Sequence, residues 1–210
     1  MHLVSREPSP PGSEVCGVYA LDGLELVDES TPFWPFDAES PLAYGVTKAE
    51  GERALQEVAS RGLPTVVLRP PNVLGADPAN VFALRIAELV RDGGIALLGA
   101  GDATWPYVHV DNLLDVILLG LRRPEAVGRT YTVVDGHTTW GAYVGIFASW
   151  LGVSVGQRDV RIVYDTFRGR FSTDRVRDEL GYAPRLRFDD AMVATRAFLE
   201  ARGVVAPGDA

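Results

Sequence analysis

Apolar positions recur at helical spacing in six stretches of the chain, with short unbroken apolar runs between them. A loose stripe through Leu42, Val46, Ala49, Arg53, Leu55 and Val58 predicts a helix over 41–61, opened by Ser40 and Pro41 and closed by Gly62 and Pro64. Further helices are predicted over 81–91, 111–122, 138–151, 173–180 and 188–202. Asp111 is the expected N-cap of the second of these, Thr138 or Thr139 opens the third, and Gly181 ends the fourth. Short runs at 65–68, 95–98, 130–134 and 160–163 read as strands, with shorter candidates at 2–5 and 15–20. The proline-rich stretch 69–80 reads as a turn, and the glycine-rich stretch 99–106 as a loop. Strands alternating with helices predict an α/β fold with a mostly parallel sheet.

Composition narrows the function classes. The chain has 210 residues, 47% hydrophobic and 23% charged, the balance of a globular protein rather than a disordered one. The longest apolar run, near 113–121, is interrupted by Asp115 and falls short of the roughly 18 residues of a membrane span. The first twelve residues lack the basic start and apolar stretch of a secretory signal. Cys16 is the single cysteine, so no internal disulfide can form, and a reducing cytoplasm is the expected compartment. A net charge of -8 disfavours nucleic acid or an anionic membrane as partner and leaves a small-molecule substrate. No metal is expected. Every basic residue is arginine except Lys48.

That lysine stands four residues after Tyr44 in Tyr44-Gly-Val-Thr-Lys48. On a helix, residues four apart share a face, so phenol and ammonium can approach each other. A nearby cation favours the phenolate and draws a tyrosine towards the working range of a general acid or base. Oxidation of an alcohol needs such a group, which takes the hydroxyl proton as hydride leaves carbon. The plain alternative is a surface Tyr–Lys contact on an amphipathic helix.

The surroundings make the motif specific. Pro41-Leu-Ala-Tyr44-Gly-Val-Thr-Lys48-Ala-Glu-Gly-Glu52 resembles the catalytic helix of the extended short-chain dehydrogenases/reductases, the NAD-dependent epimerase/dehydratase family. Glu29-Ser-Thr-Pro32 is similar to the E-x-x-P stretch those proteins place before that helix. Leu68-Arg-Pro-Pro-Asn72-Val-Leu-Gly75 is similar to their L-R-P-x-N-V-x-G segment, Val108-His-Val-Asp-Asn-Leu113 to their V-H-V-D-D-L, and Leu180-Gly-Tyr-Ala-Pro184 to their L-G-[YW]-x-P. Five matches in order cover nearly the whole chain.

The resemblance implies part of a doubly wound, Rossmann-like parallel sheet with a smaller C-terminal substrate-binding part. Residues 1–75 would be the remnant of the Rossmann-like domain with the catalytic helix; 76–210 would form the substrate-binding part interleaved with the last strands. It implies Tyr44 as acid/base and Lys48 as its partner and ribose ligand, with NAD or NADP as cofactor. Pro71, Asn72 and Val73 would lie beside the nicotinamide on an exposed turn, with Asn72 also facing substrate. For Asn72 the bland reading is a turn residue that caps its own backbone. His109 is expected to serve packing and strand-to-helix geometry, and Leu180–Pro184 a helix stop. A homodimer through the Tyr/Lys helix is compatible with the family's habits.

Three departures stand beside the matches. The family's third catalytic group, a serine or threonine, precedes a Val-Tyr pair by three places; before Val18-Tyr19 that place is Val15, and Ser13, Cys16 and Ser5 fit no better. An arginine that clamps the diphosphate in sugar-nucleotide epimerases is replaced by Trp105. A wall of Trp105, Pro106 and Tyr107 leans towards a hydrophobic alcohol and the 3β-hydroxysteroid dehydrogenase-like branch. Finally, no segment runs from a strand through a turn such as G-x-x-G-x-x-G into a helix, the site of the dinucleotide pyrophosphate. A truncated chain, one part of a split protein, and a degenerate ligand-binding member without catalysis are the three readings of that absence.

Overall fold

A computed structural model describes residues 19, 21, 23–33, 43–75, 81–98, 100–158 and 167–207. The expected strands at 2–5 and 160–163 lie outside these residues, as do Ser5, Ser13, Val15 and Cys16. The elements run β1 (Leu26–Val27), α1 (Ala43–Ser60), β2 (Val67–Arg69), β3 (Asn72–Leu74), α2 (Val81–Arg91), β4 (Ala96–Leu98) and β5 (Thr104–His109). They continue with α3 (Val110–Arg122), β6 (Thr130–Thr132), β7 (Gly136–Thr139), α4 (Trp140–Leu151), β8 (Gly156–Arg158), β9 (Arg170–Phe171), α5 (Asp174–Leu180) and α6 (Phe188–Ala201). Among the described residues no helix is long and apolar enough to cross a membrane.

Four strand pairs are parallel, β1 with β9, β2 with β6, β3 with β5 and β4 with β8, while β7 returns antiparallel beside β5. The chain is therefore α/β with predominantly parallel pairing, as its alternating elements predict. Pairing of β2 with β6 joins residues more than sixty places apart, which threads the early part of the chain through the later part.

Helix faces account for the core. On α2, Ala83, Ile86, Ala87 and Val90 are buried at i, i+3, i+4 and i+7. On α4, Trp140, Tyr143, Val144, Phe147 and Ala148 repeat that spacing, and the two helices pack together with α6 around Trp105. A second cluster joins Val116 of α3 to Val176 and Leu180 of α5 over Tyr131 and Val133. Thr139 caps α4 by accepting the Ala142 N–H at 3.1 Å, and Gly152 and Gly181 end α4 and α5 at φ near +65° and +70°.

Three expectations change. Residues 72–74 form β3 rather than part of a turn, and 104–106, read as the end of a loop, open β5. Prolines at 70, 71 and 106 are responsible for the misreading, because proline normally interrupts a ladder. Here Pro106 precedes the register of β3, which begins at Asn72 opposite Tyr107, so its missing N–H costs that ladder nothing. At α3 the cap is His109, whose Nδ1 accepts the Asp111 N–H at 3.1 Å, and Asp111 lies in the first turn. The strands β1, β7, β8 and β9 have no counterpart among the predicted elements.

Candidate functional site

Helix α1 carries Tyr44, Lys48 and Glu52 four residues apart, hence along one face. Lys48 Nζ stands 5.1 Å from the centre of the Tyr44 ring, and Tyr44 is 39% exposed. Both residues line a cleft of about 460 Å³ between α1 and β2, together with Tyr19, Phe33, Glu52 and Arg69. Among the described residues Lys48 makes no ion pair.

Across the cleft, β2 ends in Arg69, whose guanidinium grips both oxygens of Glu52: Nε to Oε2 at 3.1 Å and Nη2 to Oε1 at 2.6 Å. The same group lies over the rings of Phe33 at 4.7 Å and Tyr19 at 5.5 Å, and donates to the Tyr19 hydroxyl and the Glu29 carbonyl. Burial works against the Arg69 charge, but Glu52 and Tyr19 outweigh it and hold the guanidinium above its ordinary range. Burial raises the Tyr19 phenol against the opposing pull of Arg69.

Glu29, from the E-x-x-P stretch, is buried beneath this cluster. Its carboxylate accepts the Thr132 N–H of β6 at 2.6 Å and faces Arg175 of α5 at 3.5 Å. The motif thus staples the loop after β1 to the sheet on which α1 lies. The V-H-V-D and L-G-Y motifs also meet. Asp135 accepts the His109 N–H at 2.7 Å and Asn112 Nδ2 at 2.6 Å, and the Tyr182 hydroxyl donates to its other oxygen. Asn112 also fixes the chain at Leu186, donating to its carbonyl and accepting its N–H. These two motifs are architecture.

The remaining expected site residues fall elsewhere. Asn72 is 5% exposed, and its Nδ2 donates to the Pro106 carbonyl at 2.9 Å, so it ties β3 to β5 rather than capping its own turn. Its Oδ1 is buried without a partner. Pro71 is buried and Val73 exposed beside it; neither lines the cleft. Trp105 is 2% exposed, stacked 3.8 Å from Tyr143 in the α2–α4 core, so it cannot wall an open substrate site. Tyr107, two residues on and therefore on the same face of β5, is only half-buried and packs against Phe188. Sequence reasoning missed Arg69, Glu52 and Glu29 as a group, although each lies inside a motif it quotes. Among the described residues no three His, Cys, Asp or Glu side chains gather to hold a metal ion.

The chain is thus an α/β fold with parallel strand pairs and a cleft beside the helix face that carries Tyr44 and Lys48. The sequence profile of the NAD-dependent epimerase/dehydratase family matches residues 13–134, and the chain belongs to that family. Relatives include dTDP-4-dehydrorhamnose reductase of Shigella flexneri, 31% identical over 61% of this chain and 43% of that protein. Another is dTDP-glucose 4,6-dehydratase of Streptomyces niveus, 29% identical over 79% of this chain and 52% of that one. The chain spans about half the length of the curated relatives it matches. Among solved structures, dTDP-glucose 4,6-dehydratase of Streptomyces venezuelae with NAD superposes with a TM-score of 0.68 at 27% identity, over 93% of this chain and 60% of that one. UDP-glucose 4-epimerase of Thermotoga maritima shares the fold at a TM-score of 0.70 and 19% identity, over 91% of this chain and 62% of that one.

Proposed function

We propose that the chain carries the acid/base part of an NAD(P)-dependent oxidoreductase or epimerase/dehydratase acting on a secondary alcohol or ketone. The carrying observation is the seat of the Lys48 ammonium, 5.1 Å from the Tyr44 ring centre at one shared cleft. The Tyr44 phenol would take the hydroxyl proton of the alcohol as its carbon is oxidised and return it to the ketone in reverse. Lys48 favours the phenolate by its charge, and its donors suit the hydroxyls of a ribose. A nicotinamide, when bound, supplies or accepts the hydride.

The residues present fit the ribose and nicotinamide end of that cofactor, at Tyr44 and Lys48. Among the described residues no strand runs through a glycine-rich turn into a helix, so nothing is assigned to the pyrophosphate. Asn72 and Tyr107, with Pro71 and Val73, are assigned to the nicotinamide and substrate side on the family resemblance alone, since none of them lines the Tyr44–Lys48 cleft. Burial of Trp105 removes the support for a steroid-like preference, so the reading commits to a secondary alcohol without naming its skeleton. Relatives named for dTDP- and UDP-linked sugars make sugar alcohols the first to screen. A reducing, cytoplasmic setting goes with the single cysteine.

The test follows NAD(P)H absorbance while the protein is offered a panel of secondary alcohols and ketones. Tyr44→Phe should lower any turnover by about 100-fold or more, the usual worth of a positioned acid/base. An unchanged rate in that variant removes Tyr44 from the chemistry. Ligand binding without turnover favours the non-catalytic member of the family instead.

A further inference from the structure

We propose that Arg69 is a positioning residue that keeps Glu52 away from Lys48, so that the lysine's charge stays with Tyr44; the inference rests on the Tyr44–Lys48 reading above. Lys48 and Glu52 are four apart on α1 and line the same cleft. Opposite charges at that spacing ordinarily pair. They do not pair here, because both Glu52 oxygens are occupied by Arg69, in a contact whose side chains are only 13% and 10% exposed.

The outcome follows from donor geometry. A planar guanidinium meets a carboxylate at two points, whereas an ammonium offers a single point charge. Arg69 is itself held beside the Phe33 and Tyr19 rings, with the Tyr19 hydroxyl at 3.3 Å and the Glu29 carbonyl at 3.4 Å. Among the described titratable groups lining the cleft, Arg69 and Glu52 neutralise each other, Tyr19 and Tyr44 are phenols, and Lys48 contributes the unbalanced charge. Without Arg69, Glu52 would be left sequestered and unpaired, with Lys48 as the cation one helical turn away. An engaged Lys48 would support the Tyr44 phenolate less.

The experiment titrates the Tyr44 phenol by NMR in protein labelled at the tyrosine ring carbon, with the signal assigned from Tyr44→Phe. Lys48→Met should raise the titration midpoint by about half a pH unit, the effect of one charge near 5 Å in a largely aqueous setting. Arg69→Met should shift it in the same direction. Glu52→Gln should leave it at or below the wild-type position, and the double variant Arg69→Met/Glu52→Gln should return it there. A residue that merely anchors α1 predicts something different, since the anchor is lost in all three variants. The assignment of Arg69 is overturned if Arg69→Met leaves the midpoint unmoved, if Glu52→Gln raises it, or if the double variant stays raised. No response to Lys48→Met would instead sink the Tyr44–Lys48 reading. Should Arg69→Met fail to fold, Glu52→Gln and the double variant, which leave no unpaired carboxylate, still decide the matter.

Discussion

The hydroxyl of Tyr182 donates to one oxygen of Asp135, while the other takes the His109 N–H at 2.7 Å and Asn112 Nδ2 at 2.6 Å. One carboxylate thus ties the end of β5, the start of α3 and the chain after α5. Burial, then the Asp135 contact, drives the Tyr182 phenol far above its ordinary range, so it remains a donor at every working pH. Tyr182→Phe should therefore cost about 1–3 kcal/mol, the penalty of a sequestered acceptor that loses its partner. Urea denaturation measures it, and a midpoint equal to wild type would show that solvent replaces the hydroxyl.

His137 gives stability a pH dependence. Its Nε2 accepts the Phe171 N–H at 2.8 Å, and its ring lies nearly parallel to that of Phe171, with centroids 6.3 Å apart. His137 is solvent-exposed as a residue, yet partial desolvation of its ring, then the nearby Arg170 charge, lowers its pKa from the ordinary 6.5. The folded protein therefore prefers neutral His137. Its contribution is complete above about pH 6.5 and is lost as pH falls through the lowered folded value. Urea midpoints taken from pH 7.5 to pH 5 should decline for wild type and less steeply for His137→Gln. Equal slopes would clear His137 of that role.

Gly141 lies where α4 meets the loop before β5. A Cβ there would stand 2.8 Å from the Gly101 carbonyl oxygen, a backbone atom that also accepts the Gly141 N–H at 2.7 Å. Backbone cannot swing aside as a side-chain tip can, so Gly141→Ala should destabilise by about 1–3 kcal/mol, as overpacking does. Thermal unfolding would check it; Gly145→Ala, with open space around its Cβ, is the control expected to lose nothing.

The helices were legible because their signals are local: the buried positions of α2 and α4 repeat every three or four residues, and Thr139 and Gly181 mark ends by their own chemistry. The strands were less so. β3 has three residues and adjoins Pro70 and Pro71, and β5 contains Pro106, so both resemble turns until their parallel partner is known. His109 as a cap and Trp105 as a core ring depend on what stands opposite them, which spacing does not disclose. Tyr44 and Lys48 were visible because one helix face carries both. Arg69 and Glu52 are 17 residues apart, on a strand and a helix, and their contact exists only once β2 lies under α1.

Calorimetric titration of the purified, folded chain with NADH and with NADPH bears most directly on the Tyr44–Lys48 site. Binding on the order of micromolar to one of them, weakened in Lys48→Met, is the expected result. A folded sample that releases no heat with either, or binding that Lys48→Met leaves unchanged, would contradict a cofactor seat at these residues.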